Sequence, residues 1–158
     1  NKNSIKIIGD HTDMYAQGYF DYDSKKSGGI TMSHLRFGKS PIKTTYLIDH
    51  ADFIACHKQE YVNQYDLLQG MKEGGTFLLN TNWSDEKLGR KLKPSMKRYI
   101  IDNEINVYTV NAVKNAYSSG SRAVKIGISN TNSNTILTRG SSRCTIELPG
   151  KYCPSVIS

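Results

Sequence analysis

Two adjacent lysines, Lys25 and Lys26, have the clearest potential in this chain to bind a ligand. They stand in the stretch YDSKKSGGITMSHLRFG, residues 22–38, shortly before the glycine pair Gly28-Gly29. A lysine ammonium is a point charge on a flexible stem, which suits a phosphate, and glycines let a backbone approach a ligand closely. The residues alone leave two alternatives open: a solvated lysine pair on a hairpin, or a binding site for an anion.

The cysteines offer little chemistry. There are three, Cys56, Cys144 and Cys153, and this odd number at scattered spacing argues against a disulfide framework and against a closed metal or iron–sulfur site. Cys56 is followed by His57, a pair that could act as a metal ligand or a nucleophile. However, Cys56 also ends the apolar run DFIAC, which favours a buried strand cysteine.

The histidines show no catalytic or metal-binding pattern either. His11, His50 and His57 have no metal-ligand spacing with one another. His34 lies two residues before Arg36 in an alternating segment, where a strand-face histidine paired with a neighbour is favoured over a catalytic base. Since no Ser/His/Asp or Cys/His arrangement is supported, we predict no catalytic and no metal-ligating residue in this chain.

Two strands are expected on either side of the lysine pair. Residues 14–22, MYAQGYFDY, are rich in aromatic side chains, and residues 30–37, ITMSHLRF, alternate with a period of two. The two segments therefore predict a hairpin whose connection carries Lys25 and Lys26.

A strand–helix–strand unit follows. DFIACH and TFLLN read as buried parallel strands, and EYVNQYDLLQGMKEGG, residues 60–75, predicts a helix with apolar residues at spacing three, ended by Gly74-Gly75. Ser84 then caps a charged helix, Pro94 interrupts it, and NVYTVNA predicts another strand. This alternation predicts an α/β fold with an open, mostly parallel sheet and helices on both faces.

Charge and hydropathy exclude two classes of partner. The chain has 158 residues, 37% hydrophobic and 22% charged, with a formal charge of +7. Residues 117–158 hold five bases and one acid, so the rest is close to balanced and is not a nucleic-acid binder. No apolar run approaches the roughly 20 residues that a membrane helix needs.

The C-terminal segment differs from the rest. Residues 117–158 contain twenty Ser, Thr, Asn or Gly, and no helical period continues into them. We expect an irregular, atypical polar tail here and a domain over residues 1–116. Two interpretations of the tail stay open: a flexible extension, or a sequence altered by a shift of reading frame.

Long runs of residues 1–116 resemble the gamma-subunit-like domain of the pyruvate:ferredoxin (or flavodoxin) oxidoreductases, members of the 2-oxoacid:acceptor oxidoreductase family. The resemblance is carried by SIKIIGDHTDMYAQGYFDYDSKKSGGITMSHLRFGKSPI, by YLIDHADFIACHKQEYVNQYDLLQGMKEGGTFLLNTNWS, and by MKRYI with VYTVNAVK. The family's glycine-rich loop would end at Asn1 and Lys2, and the chain has no initiator Met, so we expect a fragment of a longer protein.

The resemblance implies a Rossmann-like fold and a place in a multidomain enzyme. Such enzymes oxidatively decarboxylate pyruvate to acetyl-CoA and pass electrons to ferredoxin or flavodoxin. The resemblance implies that thiamine diphosphate, Mg²⁺ and [4Fe–4S] clusters are bound by other domains and not by this one. The sequence agrees: the Gly-Asp-Gly start of the thiamine diphosphate motif is not formed, since Gly9-Asp10 is followed by His11, and the closely spaced cysteines of an iron–sulfur site are missing.

For this domain the resemblance implies a share in binding coenzyme A, with Lys26 as a contact and Lys25, Gly28 and Gly29 beside it. The alternative is a structural domain that docks neighbouring domains through its aromatic strands and has no ligand of its own. The parent enzyme is expected to be a homodimer in the cytoplasm or in an anaerobic organelle such as a hydrogenosome. The fragment alone is expected to be inactive.

Overall fold

A computed structural model describes the backbone of residues 2–22, 30–45, 47–116, 123–131, 134–139 and 154–157, and the side chains of residues 3–21, 30–45 and 47–114. Within these residues lie five helices: α1 (Lys2–His11), α2 (Tyr61–Gln64), α3 (Asp85–Lys91), α4 (Pro94–Asp102) and α5 (Ala112–Ala116). The described strands are β1 (Tyr15–Tyr22), β2 (Thr31–Gly38), β3 (Ala51–Cys56), β4 (Met71–Asn80), β5 (Asn106–Val110), β6 (Ala123–Thr131), β7 (Asn134–Arg139) and β8 (Pro154–Ile157). In this part of the chain no helix is long and apolar enough to cross a bilayer.

The described strands form one open sheet in the order β1-β2-β8-β3-β4-β5-β6-β7. Strands β8, β3, β4 and β5 are parallel neighbours at its centre. The outer pairs, β1 with β2 and β6 with β7, are antiparallel. The α/β fold with an open sheet, which the sequence predicts, is confirmed; the described sheet is mixed, parallel at its centre and antiparallel at both sides, rather than mostly parallel.

The larger hydrophobic core lies on one face of this sheet. Phe77 and Leu79 of β4 are fully buried there, together with Val62 of α2. Leu88 of α3 and Ile100 of α4 cover the same face. Because β4 is a central strand, its alternating apolar residues bury most of their surface against these helices.

The opposite face carries a smaller cluster covered by α1. Ile5 of α1 packs against buried Leu35 and Ala55, and a Cβ placed on Gly18 of β1 would collide with the Ile5 side chain. The absence of a side chain at Gly18 therefore lets α1 lie close to the sheet. The expected helices on both faces are confirmed.

The helix predicted for residues 60–75 is the main correction to the sequence-based prediction. Helix α2 ends at Gln64, Tyr65 is extended (φ −122°, ψ 159°), and Gly74 (φ +68°) lies within β4 instead of ending a helix. The apolar residues at spacing three, among them Val62, Leu68 and Met71, are nevertheless buried. A turn and a strand start can bury residues at that spacing too, so the period did not identify a helix.

Helix α3 begins as the sequence predicts, whereas Pro94, predicted as an interruption, is itself the first residue of α4. The Ser84 hydroxyl accepts a hydrogen bond from the Lys87 N–H at 3.4 Å, and Asp85 and Glu86 occupy the first turn of α3. Pro94 opens α4, where its missing N–H costs nothing. These two helices carry the chain from the end of β4 back to the start of β5.

Residues 117–158, for which the sequence predicts no regular element, contribute β6, β7 and β8. Val124, Ile126 and Ile128 recur with a period of two, which is typical of a strand. Strand β8 occupies a central position between β2 and β3. The other residues of this segment lie outside the described part of the chain.

Candidate functional site

A polar cleft lies where the three parallel strands β3, β4 and β5 end. Its volume is about 410 Å³, and its lining includes His57, Lys58, Asn80, Asn82 and Lys114. These residues belong to the last positions of the strands or to the loops that follow them. Ligands of open α/β sheets bind outside the carboxyl ends of the strands, so this is the edge at which a site is expected.

Asn80, at the end of β4, joins the loops on its two sides. Its Nδ2 donates to the His57 carbonyl at 3.1 Å, and its Oδ1 accepts from the Ala112 N–H at 3.0 Å. One side chain thus fixes the loop after β3 to the start of α5 after β5. The walls of the cleft are held in place by these bonds.

Gln59 provides a second set of bonds under the cleft. Its Oε1 accepts from the Thr81 hydroxyl at 2.7 Å and from the Asn82 N–H at 3.3 Å. Thr81 is buried, and its Oγ1 also accepts from the Trp83 N–H at 3.1 Å. The polar groups here are paired with one another, which stabilises a single loop arrangement.

The charges of the cleft favour an anion. Lys58 and Lys114 contribute two cations and Glu60 one carboxylate. The Lys58 Nζ also lies 5.4 Å from the centroid of the Tyr61 ring, a cation–π contact. Cations with amide donors suit a phosphate or carboxylate group, whereas these side chains include no activated nucleophile.

The hairpin of β1 and β2 ends at the same edge of the sheet. The strand pairing runs from Tyr15 opposite Gly38 to Tyr22 opposite Thr31. Strand β2 is antiparallel to β8 and β8 is parallel to β3, with Met32, Ile157 and Cys56 in register across the three. The start of β2 therefore lies beside the end of β3, about 10 Å away across one intervening strand.

Residues 23–29 connect the two strand ends at this edge. The predicted site residues Lys25, Lys26, Gly28 and Gly29 all belong to this connection and lie outside the described residues. The structure thus describes the base of the connection, Tyr22 and Ile30, but not the lysines themselves.

His34 of β2 is buried and paired, as the sequence predicts. Its Nδ1 accepts a hydrogen bond from the Ile48 N–H at 3.2 Å, and its ring lies 6.5 Å from that of Tyr19. Burial lowers the pKa of His34, and the Arg36 guanidinium adds to this, while Asp21 acts in the opposite direction. The imidazole is therefore neutral at pH 7.

Cys56 is a buried strand cysteine, which confirms the interpretation of the DFIAC run. It is 1% exposed, and its thiol contacts the Lys58 carbonyl at 3.1 Å. Burial raises the pKa of the Cys56 thiol, so the reactive thiolate is scarce at neutral pH. Among the described residues, no three His, Cys, Asp or Glu side chains lie together in a way that could hold a metal ion.

Comparison with known proteins gives the family. The family model described as "Pyruvate ferredoxin/flavodoxin oxidoreductase" matches residues 1–138, which is most of the chain. The chain belongs to the pyruvate ferredoxin/flavodoxin oxidoreductase family. The match reaches beyond residue 116, where the sequence resemblance stops, and includes β6 and most of β7.

Three named relatives align with this chain over 120 residues, which is 76% of its length. The chain is 62% identical to the pyruvate:ferredoxin oxidoreductase of Moorella thermoacetica and 64% identical to the pyruvate-flavodoxin oxidoreductase of Enterobacter agglomerans. It is 44% identical to the mitochondrial pyruvate dehydrogenase [NADP(+)] of Euglena gracilis. The matched part spans about 10% of the first two relatives and 7% of the third.

The cleft of this family member was not predicted from the sequence. Its residues follow three separate strands, in the segments HKQE, NTN and NAVK. Polar residues directly after a buried strand were the available signal, because such residues gather at one edge of a parallel sheet. The signal was available, because the predicted strands DFIACH and TFLLN end within one residue of β3 and β4.

Proposed function

We propose that this chain is the part of a pyruvate:ferredoxin or pyruvate:flavodoxin oxidoreductase that helps to hold coenzyme A. The parent enzyme would oxidatively decarboxylate pyruvate to acetyl-CoA and pass the electrons to ferredoxin or flavodoxin. Family membership and the names of the relatives support this reaction. The domain would contribute binding and would be inactive alone.

The observation that carries the proposal is the shared sheet edge. The β1–β2 hairpin brings the ends of the lysine-bearing connection to the edge where β3, β4 and β5 terminate. There the cleft already presents Lys58 and Lys114. An anionic ligand at this edge would meet positive charge from both groups, and coenzyme A carries two separate phosphate groups.

Within this edge we assign the main role to Lys26, assisted by Lys25. Lys26 faces a phosphate of coenzyme A in the intact enzyme, and Gly28 and Gly29 let the connection turn close to the ligand. A hydrogen bond between a lysine ammonium and a phosphate contributes about 1.5–3 kcal/mol. Lysine, with its three rotatable donors, adapts to a phosphate without a fixed geometry.

We place the redox chemistry, with thiamine diphosphate, Mg²⁺ and the [4Fe–4S] clusters, in other domains of the parent enzyme, as the family resemblance implies. The relatives' names differ in their acceptor, ferredoxin, flavodoxin or NADP⁺, although all share this segment. We therefore propose that other domains determine the electron acceptor. We also propose that the parent enzyme is a homodimer in the cytoplasm or in an anaerobic organelle.

Substitution of Lys26 tests the proposal. In the full-length enzyme, Lys26→Ala should raise the apparent KM for coenzyme A about tenfold to a hundredfold, since 1.4 kcal/mol corresponds to one decade. The KM for pyruvate should barely change, because the thiamine site lies in other domains. Steady-state kinetics with each substrate varied in turn measures both.

Lys39→Ala is the matched control, because Lys39 is an exposed lysine at the other end of the same hairpin. It should leave both KM values unchanged. An unaltered KM for coenzyme A in Lys26→Ala, or an equal loss toward both substrates, would support the structural interaction domain without a ligand.

A further inference from the structure

Exposed apolar side chains are concentrated on one face of the hairpin formed by β1 and β2. Six large apolar side chains are exposed in the described part of the chain, and four of them belong to this region. They are Tyr15 and Tyr19 of β1, Met32 of β2 and Leu47 of the segment that follows β2, and we call them the edge patch. Single exposed apolar residues need no explanation, whereas a concentration on one face marks a surface for a partner.

Strand β1 directs both of its exposed tyrosines away from α1. Gly18 faces α1, since a Cβ placed on Gly18 would collide with the side chain of Ile5. Successive side chains of a strand point to opposite faces of the sheet. Tyr15 and Tyr19 are an odd number of positions from Gly18, so they lie on the other face, and the register of β1 with β2 places Met32 there too.

The chain after β2 crosses this face without covering the edge patch. Gln17 donates from Nε2 to the Thr44 carbonyl at 3.0 Å, and the Ile48 N–H donates to His34 Nδ1 at 3.2 Å. Leu47 lies between these two attachments in the sequence and is 47% exposed. The two tyrosines remain 50% and 53% exposed. The crossing segment therefore satisfies polar side chains of the hairpin and leaves the apolar ones open.

Strand β1 is also an edge of the sheet that lacks the usual protection. In the described sheet it has a neighbouring strand on one side only, β2, with which it forms eight consecutive residue pairs. Edge strands are commonly protected from further pairing by a lysine, a proline or a bulge. Strand β1 contains none of these, and its one charged residue, Asp21, stands near its end. Such an edge is a template for another strand.

We infer that β1 and the edge patch form an interface with an extended segment of the parent enzyme that lies outside these 158 residues. The main chain of that segment pairs with β1 and adds a strand to the sheet. Apolar side chains on one face of the added strand pack against Tyr15 and Tyr19. This interface does not depend on coenzyme A, and the outcome of the Lys26→Ala experiment leaves it unaffected.

The length of the relatives favours a segment of the same polypeptide over a second copy of this chain. The matched 120 residues are 10% of the pyruvate:ferredoxin oxidoreductase of Moorella thermoacetica, so most of such an enzyme is available to cover this domain. A segment that is covalently linked to the domain binds at an effective concentration on the order of mM. It also avoids the entropic cost of bringing two molecules together.

Photocrosslinking in the full-length enzyme identifies the occupant of the edge. The variant Tyr19→p-benzoylphenylalanine keeps an aromatic side chain and reacts on illumination with the groups that it contacts. Peptide mass spectrometry should find Tyr19 joined to a peptide outside the sequence of this chain, without a species of doubled mass on a denaturing gel. A crosslink to β1 of a second copy, crosslinks only within this chain, or no crosslink at all would overturn the inference.

Hydrogen exchange separates an added strand from a cover over the side chains alone. In an edge strand, every second N–H points away from the single neighbouring strand. In the full-length enzyme nearly all N–H groups of Tyr15–Tyr22 should nevertheless exchange at least about a hundredfold more slowly than in an unfolded chain. Slow exchange of only every second N–H group would contradict the added strand.

Two substitutions of Tyr19 test the contribution of the patch. Tyr19→Lys places a charge on the edge, and in the full-length enzyme it should accelerate exchange of the outward N–H groups of β1 at least about tenfold. Tyr19→Phe is the matched control, because it keeps the ring, and it should exchange like the unsubstituted enzyme. Equal exchange in the two variants would show that Tyr19 takes no part in an interface and would overturn the inference.

Discussion

Burial decides the chemistry of two titratable side chains, Cys56 and His34. Both carry reactive groups, and both are held in the protonation state that burial favours, a neutral thiol and a neutral imidazole. Lys58 and Lys114, in contrast, lie on the open edge of the sheet, where a charged ligand can reach them at modest desolvation cost. The residues therefore suit binding of a ligand better than covalent catalysis.

The thiol of Cys56 should resist alkylation in the folded chain. Its burial and raised pKa both reduce the population of accessible thiolate, so iodoacetamide at pH 8 should modify it at least about a hundredfold more slowly than in guanidinium. Peptide mass spectrometry separates it from Cys144 and Cys153. Equal rates in the native and denatured states would show that Cys56 is an accessible nucleophile.

Strands were the elements that the sequence predicted best. DFIAC and TFLLN have apolar residues on both faces, and they form β3 and β4. Apolar residues are favoured on both faces of these central strands because both faces are covered. The prediction of a helix at residues 60–75 was wrong because the chain leaves the helical conformation at Tyr65 and continues through a turn, with Gly70 at φ +79°, into β4, where Gly74 has φ +68°. Apolar residues at a spacing of three indicate that these residues are buried. The spacing does not distinguish a helix from a turn followed by a strand.

Adjacent leucines of β4 test how the two faces of the sheet differ. Leu79 is fully buried in the larger core, whereas Leu78 is half-buried on the face covered by α1. Leu79→Ala should lower the free energy of unfolding by about 2–5 kcal/mol, and Leu78→Ala by clearly less, because less surface and a smaller cavity are involved. Denaturant titration of the two variants compares them directly. An equal loss would contradict the assignment of the main core to the face of α2, α3 and α4.

At the scale of the whole molecule, the candidate binding edge depends on the topology. The strand order brings to one edge several elements that are far apart in sequence: the described ends of the connection of residues 23–29, the loops after β3, β4 and β5, and the start of α5. The sequence predicts Lys25 and Lys26 as site residues, and these lie outside the described residues; it does not predict the cleft, since residues such as Asn80 and Lys114 are seen to belong together only when the strand ends are aligned. The central place of β8 could not be read from its four residues either.

The central claim, that coenzyme A is held at this edge, is tested most directly by lysine footprinting of the full-length enzyme. Reductive methylation with and without coenzyme A, read by mass spectrometry, reports the accessibility of each ammonium group. At a concentration ten times Kd, coenzyme A should slow the modification of Lys25 and Lys26 about tenfold, because roughly a tenth of the sites is then free. Lys39, exposed next to the opposite end of the β1–β2 hairpin, should react at an unchanged rate. Unchanged modification of Lys25 and Lys26 at saturating coenzyme A would contradict the account.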